Sequence, residues 1–152
     1  ANDNSDGQVV LSGAMSAIDR AVEIAQEFGA RKCVKLAVSA PFHSPYMQPA
    51  AEAMARAFMN VEANDASVPL IANVLAEPVK NHKEIIKHLI EQVTGTVRWR
   101  ETMDYLQEQN VTDLVELGAG KVLSGIAKRS HKEMNSFSVG SIEEIEELAK
   151  NL

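Results

Sequence analysis

The sequence predicts an α/β fold, in which short strands alternate with amphipathic helices. Apolar residues recur at helical spacing in several stretches, and short β-like runs separate those stretches. A chain of 152 residues with 45% hydrophobic content is long and apolar enough to bury a core. In the second half of the chain, helices separate the strands, which implies crossover connections and therefore a largely parallel sheet there.

The first third is predicted to contain two strands and two helices. Residues 8–12 form the first β-like run, and an amphipathic helix follows it. The alternation of Val34, Leu36 and Val38 predicts a half-buried strand. The second helix is predicted to begin at Ser44, a good N-cap residue, and its apolar stripe consists of Met47, Ala50, Met54 and Phe58.

The middle of the chain is predicted to hold one buried strand and two helices. Residues 68–74 are nearly all apolar, as in a strand buried on both faces, and a loop through Pro78 follows. Asn81 and Glu84 have the spacing of a capping box and open a helix that Gly95 breaks. The apolar stripe of the next helix consists of Trp99, Met103 and Leu106.

The last third repeats the alternation of strand and helix. Residues 113–117 and 136–139 are the predicted strands, and residues 118–120 form a tight turn into the helix between them. Ser141 and Glu144 are spaced to cap a final helix.

Charge and composition exclude several classes of protein. A net charge of −6 argues against nucleic acid or an anionic membrane as the main partner. The single cysteine, Cys33, excludes an internal disulfide and fits a reducing cytosol. No apolar run is long enough to span a membrane, so a cytoplasmic location is expected.

The most informative motif is a histidine between two prolines, Pro41-Phe42-His43-Ser44-Pro45. It lies where a β-like run gives way to a helix, just outside the positive end of the helix dipole. That field favours a neutral imidazole, which can accept a proton from a nucleophile as a general base does. The alternative is a histidine that only packs at the start of a helix.

Two other chemical sites are disfavoured. His82 and His88 lie on different faces of the predicted helix, and no zinc-binding spacing is present, so no metal is expected. Residues 118–121 open a helix as a phosphate loop does, but Lys121 is followed by Val122 rather than by serine or threonine. A tight turn between strand and helix is the favoured interpretation of that segment.

Four segments resemble motifs of one enzyme family. They are residues 1–13, residues 38–44 with Met47 and Pro49, Asn73-Val74, and residues 116–125 with Lys128-Arg129; Val97 and Trp99 also match a Val-x-Trp of the family. From end to end, the chain resembles the C-terminal half of the malonyl-CoA:acyl carrier protein transacylases, acyltransferases of fatty acid and polyketide synthesis. Asp6 and Ala119 stand where the family commonly has proline.

The resemblance implies a fold for the whole enzyme, an α/β-hydrolase-like core into which a ferredoxin-like subdomain is inserted. Residues 1–41 would then be a partial ferredoxin-like small subdomain with β-α-β order. Residues 42–152 would be the C-terminal part of the α/β-hydrolase-like subdomain.

The resemblance also implies roles for individual residues in transferring malonyl from coenzyme A to the phosphopantetheine thiol of acyl carrier protein. His43 matches the catalytic histidine, and Gln92 matches the position whose main-chain carbonyl holds the histidine tautomer. Asn73 is expected near the same site, and Phe42 is expected to shape the acyl pocket. A surface Gln92 and a strand-end Asn73 without direct roles remain open alternatives. Malonyl-CoA and acyl carrier protein are the expected partners, and the thioester is a substrate, so no cofactor is expected.

The family's serine, in a Gly-His-Ser-Leu-Gly elbow, and its malonyl-binding arginine are expected upstream of Ala1. This chain is therefore expected to hold the base without the nucleophile, and to need the N-terminal half of the same enzyme for activity. The competing hypothesis is a non-catalytic module that only binds acyl carrier protein. A phosphate-binding protein that uses residues 118–121 is a third. The position of His43 between two prolines favours the enzyme, because a module that only binds has no need of a general base held in a fixed orientation.

Overall fold

Short strands alternate with helices along the chain in a computed structural model that describes residues 1–151. The strands are β1 (Asn2–Ser5), β2 (Gln8–Val10), β3 (Leu70–Ala72), β4 (Glu77–Val79), β5 (Val97–Arg98), β6 (Asp113–Leu117) and β7 (Asn135–Val139). The helices are α1 (Met15–Ala25), α2 (Gln48–Phe58), α3 (His82–Gln92), α4 (Trp99–Glu108), α5 (Val122–Ser130) and α6 (Ile142–Ala149). The mixed α/β architecture expected from the sequence is confirmed.

The chain divides into two compact units. One contains Ala1–Asn4 and Gln8–Trp99, and the other contains Ser5–Gly7 and the chain from Arg100 onward. Within the part of the chain that the structure describes, no helix is both long and apolar enough to cross a membrane.

The first unit contains two small sheets and the helix pair that positions the candidate site. Strand β1 lies between β2 and β5 and runs parallel to β5, with Asn2 opposite Val97. Strands β3 and β4 form an antiparallel pair in which Ile71 faces Pro78. Helix α3 packs against α2 and β3. The Asn81 side chain caps α3, as predicted, by accepting hydrogen bonds from the N–H groups of Lys83 and Glu84.

One strand prediction in this unit was wrong, and two strands were not predicted. Val34, Leu36 and Val38 lie in an extended segment without strand partners, and their exposed fractions are 60%, 57% and 60%. Alternation indicates a strand only where a neighbouring strand accepts its hydrogen bonds, and none does so within residues 1–151. Conversely, the polar strand β1 and strand β4, which contains Pro78, were not predicted. Strand β1 pairs with β2 and β5, and β4 pairs with β3, so pairing rather than intrinsic strand preference forms both.

The second unit contains the parallel pair that the sequence predicts. Strands β6 and β7 run parallel, with Val115 opposite Phe137, and helix α5 connects them and packs on both. The buried apolar side chains of this unit are Met103, Ile126, Ala127, Met134 and Val139. Helix α6 begins with the predicted capping box, in which the Ser141 hydroxyl accepts from the Glu144 N–H at 3.2 Å.

Candidate functional site

His43 lies in a loop that leads into helix α2, and its backbone is unusual. Its φ angle is +56°, in the left-handed region that residues other than glycine seldom occupy. Pro45 begins a short 3-10 turn, Pro45–Met47, before α2 starts at Gln48. The α-helix therefore begins four residues later than the sequence predicts, and the His43 side chain is half-buried at its entrance.

The His43 ring is held by the C-terminal end of helix α3. Its Nδ1 lies 2.9 Å from the main-chain oxygen of Gln92, the last residue of that helix. Carbonyls in the last turn of a helix lack intrahelical partners, so this oxygen is free to accept from outside the helix. Because a carbonyl oxygen can only accept, Nδ1 carries the proton in this bond. In the neutral ring, Nε2 then has the free lone pair.

The Gln92 side chain also stabilises the C-terminal end of helix α3. Its Nε2 donates to the Gly95 carbonyl at 2.9 Å and lies 3.3 Å from His43 Nδ1. Its Oε1 is buried and has no hydrogen-bond partner in the part of the chain that is described. A Cβ at Gly95 would lie 2.7 Å from the Val74 side chain and 2.9 Å from the Glu91 carbonyl, so only glycine fits there. The end of α3 is thus packed closely where it meets the histidine.

The other predicted site residues, Phe42 and Asn73, do not hold the His43 ring by a hydrogen bond as Gln92 does. Phe42 precedes His43 in the loop, and 45% of its surface is exposed. Asn73 lies just beyond β3 with an exposed side chain, and its main-chain oxygen accepts from the Arg98 N–H at 2.8 Å. Among residues 1–151, no hydrogen bond joins the Asn73 side chain to His43.

A carboxylate occupies the turn that resembles a phosphate loop. Glu116 accepts hydrogen bonds at the N-terminus of α5 from the N–H groups of Val122, Leu123 and Ser124, and from the Ser124 hydroxyl, at 2.7–3.1 Å. These are the donors that an anion would use at this helix end. This arrangement disfavours a phosphate site at residues 118–121, because the protein supplies its own anion at the helix end that follows them.

These hydrogen bonds, those from Ser124 above all, hold the pKa of Glu116 below its ordinary value of 4.5. The ionised carboxylate therefore stabilises the fold fully above about pH 4.5, and that stabilisation is lost as the pH falls through the lower folded-state pKa. Glu116→Gln is expected to lower the free energy of unfolding at pH 7 by about 1 kcal/mol, as loss of a helix cap does.

The difference between wild type and Glu116→Gln, measured by urea denaturation, should shrink as the pH is lowered from 7 toward 3. Glu146→Gln, an exposed glutamate on α6, is the matched control and should differ little from wild type. An unchanged difference across this pH range would contradict the role of the Glu116 charge.

The structure also places Asp104 beside the consecutive residues Ser130 and His131. His131 Nε2 lies 3.1 Å from Asp104 Oδ1, and His131 Nδ1 lies 2.9 Å from Ser130 Oγ. The order resembles a serine, histidine and aspartate triad, but the Ser130 hydroxyl donates to the Ile126 carbonyl at 3.0 Å. Ser130 also ends α5, where helix carbonyls oppose an oxyanion. This cluster therefore joins α4 to α5 and is not a second catalytic site.

The histidine and acidic side chains form pairs rather than a metal site. Within residues 1–151, no three or more histidine, cysteine, aspartate or glutamate side chains converge in an arrangement that would hold a metal ion. His82 and His88 each contact one carboxylate, Asp65 and Glu91 respectively, at 2.7 Å.

Several known proteins are similar to this chain, although no family model matches the chain. It is 40% identical over 148 residues to the malonyl CoA-acyl carrier protein transacylase of Synechocystis sp., covering 97% of this chain and 50% of that protein. The crystal structure of the acyl-carrier-protein-S-malonyltransferase of Bartonella henselae superimposes with a TM-score of 0.93 and 48% identity, covering 99% of this chain and 48% of that one.

A third similar structure contains a partner protein. It is a malonyl-transacylase in complex with its type II polyketide synthase acyl-carrier protein, with a TM-score of 0.86, 31% identity, and coverage of 92% of this chain and 45% of that one. The chain spans about half the length of the curated relatives that it matches. Its family resemblance is thereby confirmed: over nearly its whole length, the chain is homologous to one half of the malonyl CoA-acyl carrier protein transacylases.

Proposed function

We propose that this chain is part of an enzyme that transfers malonyl from coenzyme A to the phosphopantetheine thiol of acyl carrier protein through an acyl-serine, with His43 as the base. The observation that carries the proposal is the hydrogen bond between His43 Nδ1 and the Gln92 carbonyl. It leaves Nε2 to receive a proton, as a general base must. The names of the homologous enzymes support the choice of substrates.

In this proposal, His43 accepts a proton and then donates it in each half of the catalytic cycle. As the serine Oγ bonds to the thioester carbonyl carbon, Nε2 takes the hydroxyl proton. When the carbon–sulfur bond breaks, that proton passes to the departing coenzyme A thiolate. In the second half of the cycle, Nε2 takes the proton of the phosphopantetheine thiol and returns it to the serine. The thioester is a substrate, and we propose that no cofactor takes part.

The carbonyl of Gln92 replaces the aspartate of a catalytic triad in this proposal. An uncharged acceptor keeps the proton on Nδ1 and fixes the plane of the ring without adding a full negative charge. A module that only binds acyl carrier protein has no use for a histidine with a fixed tautomer, and this favours the enzyme. For Phe42 we propose a place in the wall of the acyl pocket, and for Asn73 a supporting place near the base.

We further propose that a second half of the enzyme supplies the serine nucleophile and covers the unpaired segment at 34–38. None of the serines in this chain has glycines two positions before and after it, as the nucleophile elbow requires. The exposed alternating side chains of Val34, Leu36 and Val38 are typical of a strand that lacks its neighbour. The homologous enzymes are about twice as long, which leaves ample chain to provide one.

In this proposal the complete enzyme has an α/β-hydrolase-like core and a ferredoxin-like insertion. Residues 1–41 belong to the small subdomain and residues 42–152 to the large one. This division concerns the subdomains of the whole enzyme, which differ from the two compact units within the chain.

The proposal predicts that the 152-residue chain alone cannot form an acyl-enzyme, because a base without a nucleophile has nothing to activate. Incubation with radiolabelled malonyl-CoA should leave the chain unlabelled. Co-expression with the N-terminal half should place the label on a serine of that half. The matched control is the same pair of chains with His43→Ala, in which labelling should be strongly slowed. A stable malonyl ester on a serine of the isolated chain would refute this prediction.

A further inference from the structure

We propose that Ser44 is a positioning residue that holds the backbone of His43 in the conformation that directs the imidazole toward Gln92. The inference rests on the proposed role of His43 as the base. Ser44 is 4% exposed, which is unusual for a serine in a surface loop. Its hydroxyl donates to the main-chain oxygen of Pro41 at 2.6 Å. This bond closes a ring of backbone around Phe42 and His43.

The conformation of His43 needs such a restraint. In the left-handed region, the Cβ of a residue other than glycine crowds the backbone, and the conformer costs free energy. Such residues persist where the surrounding structure fixes them, and they are concentrated at functional sites. With a φ of +56°, His43 shares this feature with Ala76 and Asn110 alone among the non-glycine residues at positions 1–151.

Other restraints act on the residues before and after His43. The Phe42 N–H donates to the Ala40 carbonyl at 2.9 Å, which fixes the entry to the turn. Ser44 is extended, with φ −139° and ψ 163°, in the region to which Pro45 restricts the residue before it. The Ser44 hydroxyl is the side-chain group that ties the two sides of His43 together.

The direction of the Ser44 hydroxyl supports a role other than helix capping. A serine at this position ordinarily accepts a hydrogen bond from the backbone of the helix that follows. Ser141 does so at the start of α6. Ser44 makes no such cap, and its hydroxyl bonds backward to Pro41. The expected N-cap is therefore absent, and the hydroxyl restrains the loop that carries the base.

Two hydrogen bonds therefore position the base: the Gln92 carbonyl holds its ring, and the Ser44 hydroxyl holds its backbone. Without the Ser44 hydrogen bond, the His43 backbone can relax toward the more favourable φ below zero. That change swings Cβ and the ring away from the Gln92 carbonyl, and the Nδ1–H tautomer loses its stabilisation. The expected defect is in orientation, so it should slow the chemical step and leave the affinity for malonyl-CoA nearly unchanged.

The test compares Ser44→Ala with Ser44→Thr in the full-length enzyme, meaning this chain with the segment proposed to precede it. Ser44→Ala should lower the rate constant of serine acylation by roughly 10- to 100-fold, because small displacements of a catalytic group cost about this much. Ser44→Thr retains the hydroxyl and should recover most of the rate. Ser141→Ala, which removes a serine that caps a helix, is the matched control and should acylate at the wild-type rate.

A second readout does not depend on the reaction. Nitrogen-15 NMR of histidine-labelled enzyme, at a pH where the His43 ring is neutral, reports which ring nitrogen carries the proton; the His43→Ala spectrum assigns the signal. Wild type should show the Nδ1–H tautomer, and Ser44→Ala should show a mixture. If Ser44→Ala does not fold, Ser44→Cys, with similar volume and a weak donor, makes the same comparison.

The outcomes distinguish the proposed role of Ser44 from the proposed role of His43 as the base. A wild-type tautomer in Ser44→Ala would overturn the role of Ser44, whatever the rate. A wild-type acylation rate in this variant would overturn it as well. Full activity of His43→Ala would instead refute the base assignment, and the tautomer measurement would still decide whether Ser44 positions the ring.

Discussion

Replacing His43 with alanine in the full-length enzyme is expected to slow serine acylation by about 10²- to 10⁴-fold, the usual contribution of a positioned general base. The effect should fall on the acylation rate constant, because the nucleophile loses its proton acceptor while the contacts to coenzyme A remain. The fold should survive, since the side chain is only half-buried and alanine, like histidine, carries one Cβ in the left-handed conformation.

Stopped-flow acylation with malonyl-CoA measures this effect, and thermal denaturation checks that the variant is folded. His88→Ala is the matched control, because His88 is also a half-buried histidine, on α3, and it pairs with Glu91 rather than with Gln92. It should acylate at nearly the wild-type rate. If folded His43→Ala transfers malonyl normally, His43 is only a residue at a helix start, and the base must be sought elsewhere.

Met103→Ala is expected to cause the largest loss of stability among single apolar substitutions. Met103 has an exposed fraction of 0% and is the largest fully buried side chain of residues 1–151. Its truncation removes buried apolar surface and leaves a cavity, which together cost about 2–5 kcal/mol. Trp99 is a larger side chain but is only half-buried, and its Nε1 has no hydrogen-bond partner among the described residues, so its loss should cost less.

Chemical denaturation of the full-length enzyme measures this loss as a shift in the midpoint. Met59→Ala removes the same side chain from a position that is 76% exposed, and it should shift the midpoint little. Equal shifts for the two variants would contradict the assignment of Met103 to the core. Acylation by the folded fraction of Met103→Ala should remain normal, because this residue takes no part in the proposed chemistry.

The sequence by itself determined the features that depend on neighbouring residues. Helical periodicity located the helices, and the side-chain caps at Asn81 and Ser141 form as their spacing predicts. These signals are reliable because a helix and its cap use hydrogen bonds within a few residues of one another. The parallel pair β6–β7 followed from the strand, helix and strand order, since a crossover connects parallel strands. The family resemblance also came from short motifs.

Only the tertiary structure decided which residues meet across long separations. The family resemblance implies that the Gln92 carbonyl holds the tautomer of His43, 49 residues away, but periodicity alone gives no reason for a helix to end beside the histidine. Strand β1 is polar and forms because β2 and β5 lie beside it, whereas the apolar alternation at 34–38 has no strand partner within residues 1–151. The left-handed backbone of His43 and the hydrogen bond from Ser44 to the Pro41 carbonyl are local, but the pattern of residues does not predict them either. A strand or an oriented base requires hydrogen-bond partners that its own segment does not contain, and only the folded chain supplies them.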